Sequence, residues 1–207
     1  MNPRLIVAVA ALSLSAVLAG TAAWVSFHGK GDAFASCGAS QVAGSAIGGH
    51  FTLVDQTGAT VTDADIIKQP TLVYFGYTFC PDVCPLDNAR NAEVVAALDK
   101  RGIDVTPVFI SVDPKRDTPE VMAAYVENFS PKMIGLTGSA AQVADAARAY
   151  HVYYKAHDET DPNYYAVDHS AFTYLMLPGH GFADFFTRDD TAAQIEERVA
   201  CDIAAVS

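Results

Sequence analysis

The segment 71–85 constrains the fold of this chain more than any other. It opens with an apolar run that is typical of a buried strand, and two cysteines, Cys80 and Cys84, follow at a corner. Pro85 disfavours helical backbone angles at the residue before it and fits best as the first residue of a helix. The sequence therefore predicts a strand, a cysteine-bearing corner, and a helix over 85–100 that has Cys84 as its N-cap residue.

The two thiols of this corner suit two kinds of chemistry. The amino end of a helix directs unpaired N–H groups and partial positive charge at nearby sulfurs, which lowers a thiol pKa and favours the thiolate. Thiolates exchange disulfides, and they also bind soft metal ions. The gap between Cys80 and Cys84 is longer than the Cys-x-x-Cys gap usual for rapid exchange and is equally suited to holding one metal ion. The motif alone leaves both chemistries open, beside an inert structural disulfide.

The first part of the chain predicts a membrane anchor. Residues 5–27 form an uncharged, largely apolar stretch long enough to span a bilayer, with Arg4 before it and Lys30 after it. A cleaved signal peptide is the alternative, but the apolar character continues beyond the length of a typical signal-peptide core. Positive charge precedes the stretch, so we expect a single pass through a bacterial inner membrane with the rest of the chain in the periplasm. The cysteines then face an oxidising compartment.

Composition divides the chain into three parts. We predict an anchor over 1–27, a flexible tether over 28–48 that is rich in Gly, Ala and Ser, and one folded domain over 49–207. The net charge of −11 argues against a nucleic-acid partner, because such a surface repels phosphates.

Strand-like and helix-like patterns alternate through the folded part. This alternation predicts an α/β fold, in which helices cover both faces of a central sheet and ligands gather at the carboxyl ends of strands. We expect an opening hairpin that begins at 51–54, strands at 71–76, 103–112, 133–136 and 152–156, a hairpin that pairs 171–177 with 182–186, and helices over 85–100, 119–129, 139–150 and 191–204.

His169 offers a third ligand for the cysteine corner. It lies immediately before a strongly apolar strand, from which it could face the sheet end that carries the dithiol. An imidazole beside two thiolates forms a ligand set suited to copper in either oxidation state. A histidine before a strand is more often an ordinary surface or core residue, so spacing alone leaves the ligand role open.

Three motifs in order resemble the Sco/SenC family of membrane-anchored, thioredoxin-like copper proteins that assist cytochrome c oxidase assembly. They occupy 74–85, 109–118 and 165–170, and the resemblance extends over about 49–200. It implies an α/β, thioredoxin-like fold, with a central mixed sheet flanked by helices and an N-terminal transmembrane helix. It also implies that Cys80, Cys84 and His169 are the copper ligands.

The chain departs from the common pattern of that family at two positions. Phe79 stands where relatives commonly have histidine, and Ser170 stands where they commonly have threonine. Neither change removes a ligand. Phe79 does remove a titratable group from beside the first cysteine, which puts any proton-coupled role of that position in doubt.

The resemblance implies a metallochaperone that delivers copper to the dinuclear copper site of the copper-bearing subunit of cytochrome c oxidase. Other periplasmic copper chaperones or thiol reductants are then expected partners. One alternative is an enzyme, a thiol-disulfide reductase that keeps the acceptor's cysteines reduced with Cys80 or Cys84 as nucleophile. Another is a copper or redox sensor that acts through a partner protein.

Four carboxylates near the three motifs are candidate outer groups of the site. Asp168 could orient His169 by accepting its free ring N–H, a usual device in metal sites. Asp82, Asp113 and Asp117 follow strand ends or precede helices on the expected site side. Each has an ordinary alternative as a strand end, a turn residue or a helix cap.

The two remaining cysteines, Cys37 and Cys201, flank the folded region. In an exported chain they predict a structural disulfide that ties the two ends of the domain together. A free pair, a second metal site and an intermolecular bond are the alternatives.

Overall fold

A computed structural model describes residues 34–38, 46–158, 161 and 164–206 of the chain. The predicted anchor over 1–27 and most of the predicted tether lie outside these residues. Within the described ranges, no helix has the length and apolar character that a bilayer crossing requires.

A seven-stranded mixed sheet forms the centre of the fold, in the order β2-β1-β5-β4-β3-β8-β9. Parallel pairs join β3 to β4 and β4 to β5, and the other neighbours are antiparallel. A separate antiparallel ribbon joins β6 to β7. The strands of the described residues are β1 (Thr52–Asp55), β2 (Thr60–Thr62), β3 (Thr71–Gly76), β4 (Thr106–Ser111), β5 (Ile134–Thr137), β6 (Tyr154–Ala156), β7 (Val167–His169), β8 (Thr173–Leu177) and β9 (Gly181–Phe186).

Helices cover both faces of this sheet, which confirms the predicted α/β architecture. They are α1 (Asp63–Ile66), α2 (Val83–Lys100), α3 (Pro119–Val126), α4 (Ala140–Ala149) and α5 (Ala192–Ala205). On one face α2 packs against α5, and on the other face α3 and α4 pack against β5 and β1. Leu72 and Val73 belong to different apolar clusters because successive side chains of a strand point to opposite faces.

Capping residues close to the helix ends start most of the helices where the sequence predicted. The Thr118 side chain accepts a hydrogen bond from the backbone N–H of Val121, so α3 begins at Pro119. Ser139 and Thr191 each form a capping box at the start of α4 and α5. The helix expected over 119–129 ends earlier, at Val126, and the sequence patterns missed both α1 and β7.

The predicted N-cap of the site helix, Cys84, is wrong by two residues. Helix α2 begins at Val83, and Asp82 occupies the N-cap without a side-chain capping bond. Pro85 still lies in the first turn, where a missing N–H costs no intrahelical hydrogen bond. Cys84 is therefore inside the helix, and its N–H lies 3.3 Å from the sulfur of Cys80.

Gly76, the last residue of β3, allows α2 to approach the sheet closely. A Cβ at this position would lie 2.7 Å from Sγ of Cys84 and 2.9 Å from a ring carbon of Phe109. Both distances are shorter than van der Waals contact, so no larger residue fits without movement of the helix or the sheet. The glycine thus sets the position of the second cysteine.

A disulfide between Cys37 and Cys201 ties the described segment 34–38 to α5. Phe34, which precedes a short 3-10 turn over Ala35–Cys37, is buried in the apolar cluster of α2 and α5. The bond closes a loop between residues 164 positions apart. A long closed loop removes much conformational freedom from the unfolded chain.

We expect the double substitution Cys37→Ala with Cys201→Ala to lower the free energy of unfolding by about 2–5 kcal/mol, as loss of a long-loop disulfide does. Urea unfolding of the non-reduced domain measures this. The matched control is Cys80→Ser at the less buried of the two site cysteines, which keeps the long-range bond and should unfold near the wild-type midpoint. Equal midpoints for wild type and the Cys37/Cys201 variant would show that the bond does not stabilise the fold.

We expect Gly76→Ala to destabilise the domain by about 1–3 kcal/mol, the usual cost of overpacking a filled core. The reason is the clash of the new methyl group with the Cys84 sulfur. Gly138→Ala is the control, because its Cβ would meet first the end of the flexible Gln142 side chain, at 3.0 Å. Urea midpoints that are equal for the two variants would contradict the close approach.

Candidate metal centre

Three side chains that are distant in sequence meet at the carboxyl end of β3. Cys80 lies in the loop after β3, Cys84 lies in the first turn of α2, and His169 ends β7. One ligand atom from each of these residues lies within 4.8 Å of the other two. Nε2 of His169 is 3.3 Å from Sγ of Cys84. The structure thus brings together the two thiols and the imidazole that the sequence singled out.

The β6–β7 ribbon carries His169 to the dithiol. Tyr154 of β6 pairs with His169, and the backbone of Tyr153 exchanges hydrogen bonds with Ser170. The imidazole then sits edge-on to two tyrosine rings, with centroid distances of 5.8 Å to Tyr77 and 6.2 Å to Tyr74. These contacts hold the ring in one orientation.

The hydrogen bonding of His169 leaves one ring nitrogen free for a metal. Nδ1 lies 3.1 Å from the backbone carbonyl oxygen of Ser170, to which a protonated Nδ1 donates. Nε2 then carries the lone pair, and it faces the sulfurs. The orienting group is this carbonyl and not Asp168, whose carboxylate instead lies 2.8 Å from Nε2 of His157. The predicted orienting role of Asp168 is therefore wrong, because neighbouring side chains of a strand point to opposite sides.

The two thiols differ in exposure and in charge. Cys84 is fully buried, whereas Cys80 exposes 9% of its surface. A hydrogen bond from the Cys84 thiol, helped by His169 and by the N–H groups of Cys84 and Asp82, lowers the pKa of Cys80 to about 3 against the opposing effect of burial. Donation to Cys80, together with burial, raises the pKa of Cys84. In the reduced pair the first negative charge therefore resides on Cys80.

A surface pocket of about 340 Å³ opens onto this cluster. Cys80 and His169 line it together with the guanidinium-bearing Arg188, whereas Cys84 lies behind them. An incoming ligand therefore meets Cys80 and His169 first. Cys84 is the innermost of the three groups.

Asp117 fixes the loop that leads into Cys80. This buried carboxylate accepts hydrogen bonds from the N–H and hydroxyl of Thr78, at 3.1 and 2.6 Å, and from the hydroxyl of Ser111. Burial is the largest cause that raises the pKa of Asp117. The carboxylate does not touch the cysteines or the histidine, so its contribution is to hold the corner in place.

Arg116 joins the same loop to the segment before β7, a role that the sequence did not suggest. Its guanidinium pairs with Asp113 and donates to the backbone carbonyl of Tyr165. It also lies over the rings of Tyr165, at 3.6 Å, and Phe79, at 4.9 Å. Asp113 accepts in addition from the Tyr165 hydroxyl at 2.6 Å. Asp113 thus anchors the loop that leads to His169 and is not in contact with the ligand atoms.

Asp82, like Asp168, is exposed, whereas Asp113 and Asp117 are buried. Asp82 occupies the N-cap position of α2, and its backbone N–H donates to the Cys80 sulfur. Its backbone thus contributes to the charge of Cys80, while its side chain borders the pocket.

Comparison with known proteins places the chain in one family. The family model described as SCO1/SenC matches residues 39–204. Protein SenC of Rhodobacter capsulatus is 50% identical over 205 residues, which cover 94% of this chain and 92% of SenC. The human mitochondrial Protein SCO1 homolog is 43% identical over 156 residues, which cover 74% of this chain and 52% of the human protein.

A solved structure matches the fold as well. The crystal structure of Arabidopsis thaliana ScoI with copper bound has 41% sequence identity and a TM-score of 0.73 to this chain, and the match covers 77% of this chain and 99% of that one. The mixed sheet flanked by helices is thus the thioredoxin-like α/β fold of the Sco proteins. The chain belongs to the SCO1/SenC family.

Proposed function

We propose that this protein is a copper metallochaperone that binds copper through Cys80, Cys84 and His169 and delivers it to the dinuclear copper site of cytochrome c oxidase during assembly. The observation that carries the proposal is the meeting of two sulfurs and one imidazole nitrogen within 4.8 Å of one another. Thiolates select Cu(I), and imidazole suits Cu(II), so the set tolerates both oxidation states. Relatives with this fold have been solved with copper bound.

The reduced dithiol is prepared to capture the ion. Cys80 already carries negative charge, so copper meets a thiolate at the wall of the pocket. Binding at Cys84 displaces the proton that its thiol holds, because only the thiolate ligates. His169 contributes Nε2 in the tautomer whose Nδ1–H donates to the backbone carbonyl of Ser170. Oxidation of the pair to a disulfide removes both sulfur ligands, so the thiol redox state controls loading.

The surroundings of the site support a protein acceptor. Phe79 and Tyr164 expose 55% and 79% of their surface, which is unusual for aromatic side chains. They line a second pocket of about 150 Å³ that shares Tyr77 and Pro81 with the pocket over the cysteines. Exposed aromatic residues are typical of protein interfaces. Delivery by ligand exchange requires such an interface beside Cys80, and we infer that the copper-bearing oxidase subunit occupies it.

The cellular setting of the proposal comes from the sequence. The apolar stretch over 5–27 would anchor the protein in a bacterial inner membrane, with the copper domain in the periplasm. Other periplasmic copper chaperones would then supply the ion, and thiol reductants would keep Cys80 and Cys84 reduced.

One observation favours a second function, thiol-disulfide reduction of the acceptor. The pair has the asymmetry of a reductase, because Cys80 is a partly exposed thiolate and Cys84 a buried thiol. An exposed thiolate attacks a substrate disulfide, and a neighbouring thiol resolves the mixed disulfide. Copper binding needs His169 as a ligand, whereas disulfide exchange uses the two sulfurs, with His169 only helping to lower the pKa of Cys80.

We expect His169→Ala to abolish tight copper loading, because two sulfurs alone leave the ion without its third ligand. Copper retained by the reduced domain after gel filtration, and the sulfur-to-copper charge-transfer absorption, measure the loss. His157→Ala is the matched control, since His157 lies beside β7 but contacts Asp168 and not the cysteines. It should load copper like wild type.

Insulin reduction by the same samples separates the two functions. A metallochaperone loses its copper in His169→Ala while its thiol exchange stays close to wild type. Full copper affinity in His169→Ala would refute the three-ligand site. Rapid insulin reduction by wild type, with weak copper binding, would favour the reductase instead.

We expect alkylation of Cys80 by iodoacetamide in the reduced, metal-free domain to stay nearly constant from pH 7 to pH 5. The lowered pKa keeps this sulfur ionised throughout, whereas an ordinary thiol loses about 100-fold of its thiolate over the same interval. The rate should fall only as the pH approaches the pKa of about 3. Mass spectrometry of the quenched reaction reports the site and the rate.

Cys84→Ala tests the cause of this reactivity. It removes the thiol that donates to Cys80, so the pKa of Cys80 should rise and the ordinary pH dependence should return. A wild-type rate that falls about 100-fold between pH 7 and pH 5, as an unperturbed thiol does, would contradict the assigned charge.

A further inference from the structure

Tyr74 places an unpaired hydroxyl inside the core beside the candidate metal centre. The side chain is fully buried, and its hydroxyl makes no hydrogen bond of standard geometry in the described part of the chain. Buried hydroxyls normally have a partner, because an unpaired one loses its hydrogen bonds to water. On the metal side the ring of Tyr74 meets the His169 ring edge-on, at a centroid distance of 6.2 Å.

The ring of Tyr74 borders the Cys84 sulfur directly. Residues 74 and 76 point to the same face of β3, since side chains repeat every second residue along a strand. A Cβ built on Gly76 would lie 3.1 Å from Cε1 of Tyr74 and 2.7 Å from Sγ of Cys84. The tyrosine ring and the sulfur therefore flank the same small space, which only the absence of a side chain at Gly76 leaves open.

A second acceptor faces the same hydroxyl. Asp87 lies in α2, three residues after Cys84, and is buried. One carboxylate oxygen is 3.2 Å from the Arg90 guanidinium, and the other, Oδ2, has no partner in the described residues. Burial raises the pKa of Tyr74, and the neighbouring Cys84 sulfur and Asp87 carboxylate raise it further, although neither forms a hydrogen bond of standard geometry with the hydroxyl.

We propose that Tyr74 is a positioning residue of the metal centre, whose hydroxyl is unpaired in the metal-free protein and donates a hydrogen bond to the Cys84 sulfur when that sulfur binds copper. The inference rests on the proposed copper function. A metal-bound sulfur carries negative charge and is a better acceptor than a thiol, which itself donates to Cys80.

The hydrogen bond has a defined effect on the bound ion. Donation to a ligating sulfur withdraws electron density from it, and hydrogen bonds of this kind tune the potential of copper–thiolate sites. Tyr74 therefore favours Cu(I) over Cu(II) and raises the energy of the sulfur-to-copper charge-transfer absorption. Both effects are absent if the hydroxyl is only a passive part of the core.

Tyr74→Phe tests the inference, since it removes one oxygen and keeps the ring. We expect the charge-transfer band of the Cu(II) form to move to longer wavelength and the Cu(II)/Cu(I) potential to become more negative. Thermal unfolding of the metal-free variant should match or exceed that of wild type, because the variant loses an unpaired buried hydroxyl.

Tyr150→Phe is a closely matched control. Tyr150 is also fully buried with an unpaired hydroxyl, but it packs against Phe75, whose side chain points to the opposite face of β3. The charge-transfer band and the Cu(II)/Cu(I) potential of the Tyr150→Phe protein should equal those of wild type. A Tyr74→Phe protein that binds copper with an unchanged band and potential would overturn the inference alone. A wild-type protein that binds no copper would overturn the proposed function and this inference together.

Discussion

The contact between Gly76 and the Cys84 sulfur is the constraint on which the rest of the site depends. Strand β3 lies in the middle of the sheet, with β4 and β8 on its two sides, and its last residue, Gly76, pairs with Ser111 of β4. Because Gly76 has no side chain, the first turn of α2 packs directly on this rigid point. The inner sulfur of the dithiol is therefore part of the core, and the site has the rigidity of the core.

The other two ligand residues, Cys80 and His169, come from more peripheral parts of the fold. Cys80 belongs to a loop that Asp117 holds through Thr78, and His169 belongs to the β6–β7 ribbon outside the main sheet. Arg116 connects the two by contacting both Phe79 and Tyr165. On the proposed function, this division suits a carrier. The inner sulfur is fixed, whereas the outer sulfur and the imidazole face the pocket through which the ion is received and released.

Several features of the fold and the site followed from the sequence because they depend on neighbours along the chain. The strand, corner and helix around Cys80, the caps at Thr118, Ser139 and Thr191, and the hairpin of β8 and β9 are all local patterns. The N-cap position of α2 was wrong because the preference of a proline for one helical position is weaker than the packing of the whole turn. Strand β7 was missed because three residues carry too little periodicity to show a strand.

The sequence by itself determined the chemistry of this protein, since two thiols, one imidazole and a glycine at the strand end are chosen by residue type and by order along the chain. Only the tertiary structure decided how these groups act. In the folded protein Asp168 contacts His157 and not His169, and Asp117 is buried under the cysteine loop. The Tyr74 hydroxyl is buried without a hydrogen-bond partner in the described residues. The physical reason is that hydrogen bonds and burial depend on distances between residues far apart in the chain, and those distances exist only once the sheet and its helices have packed.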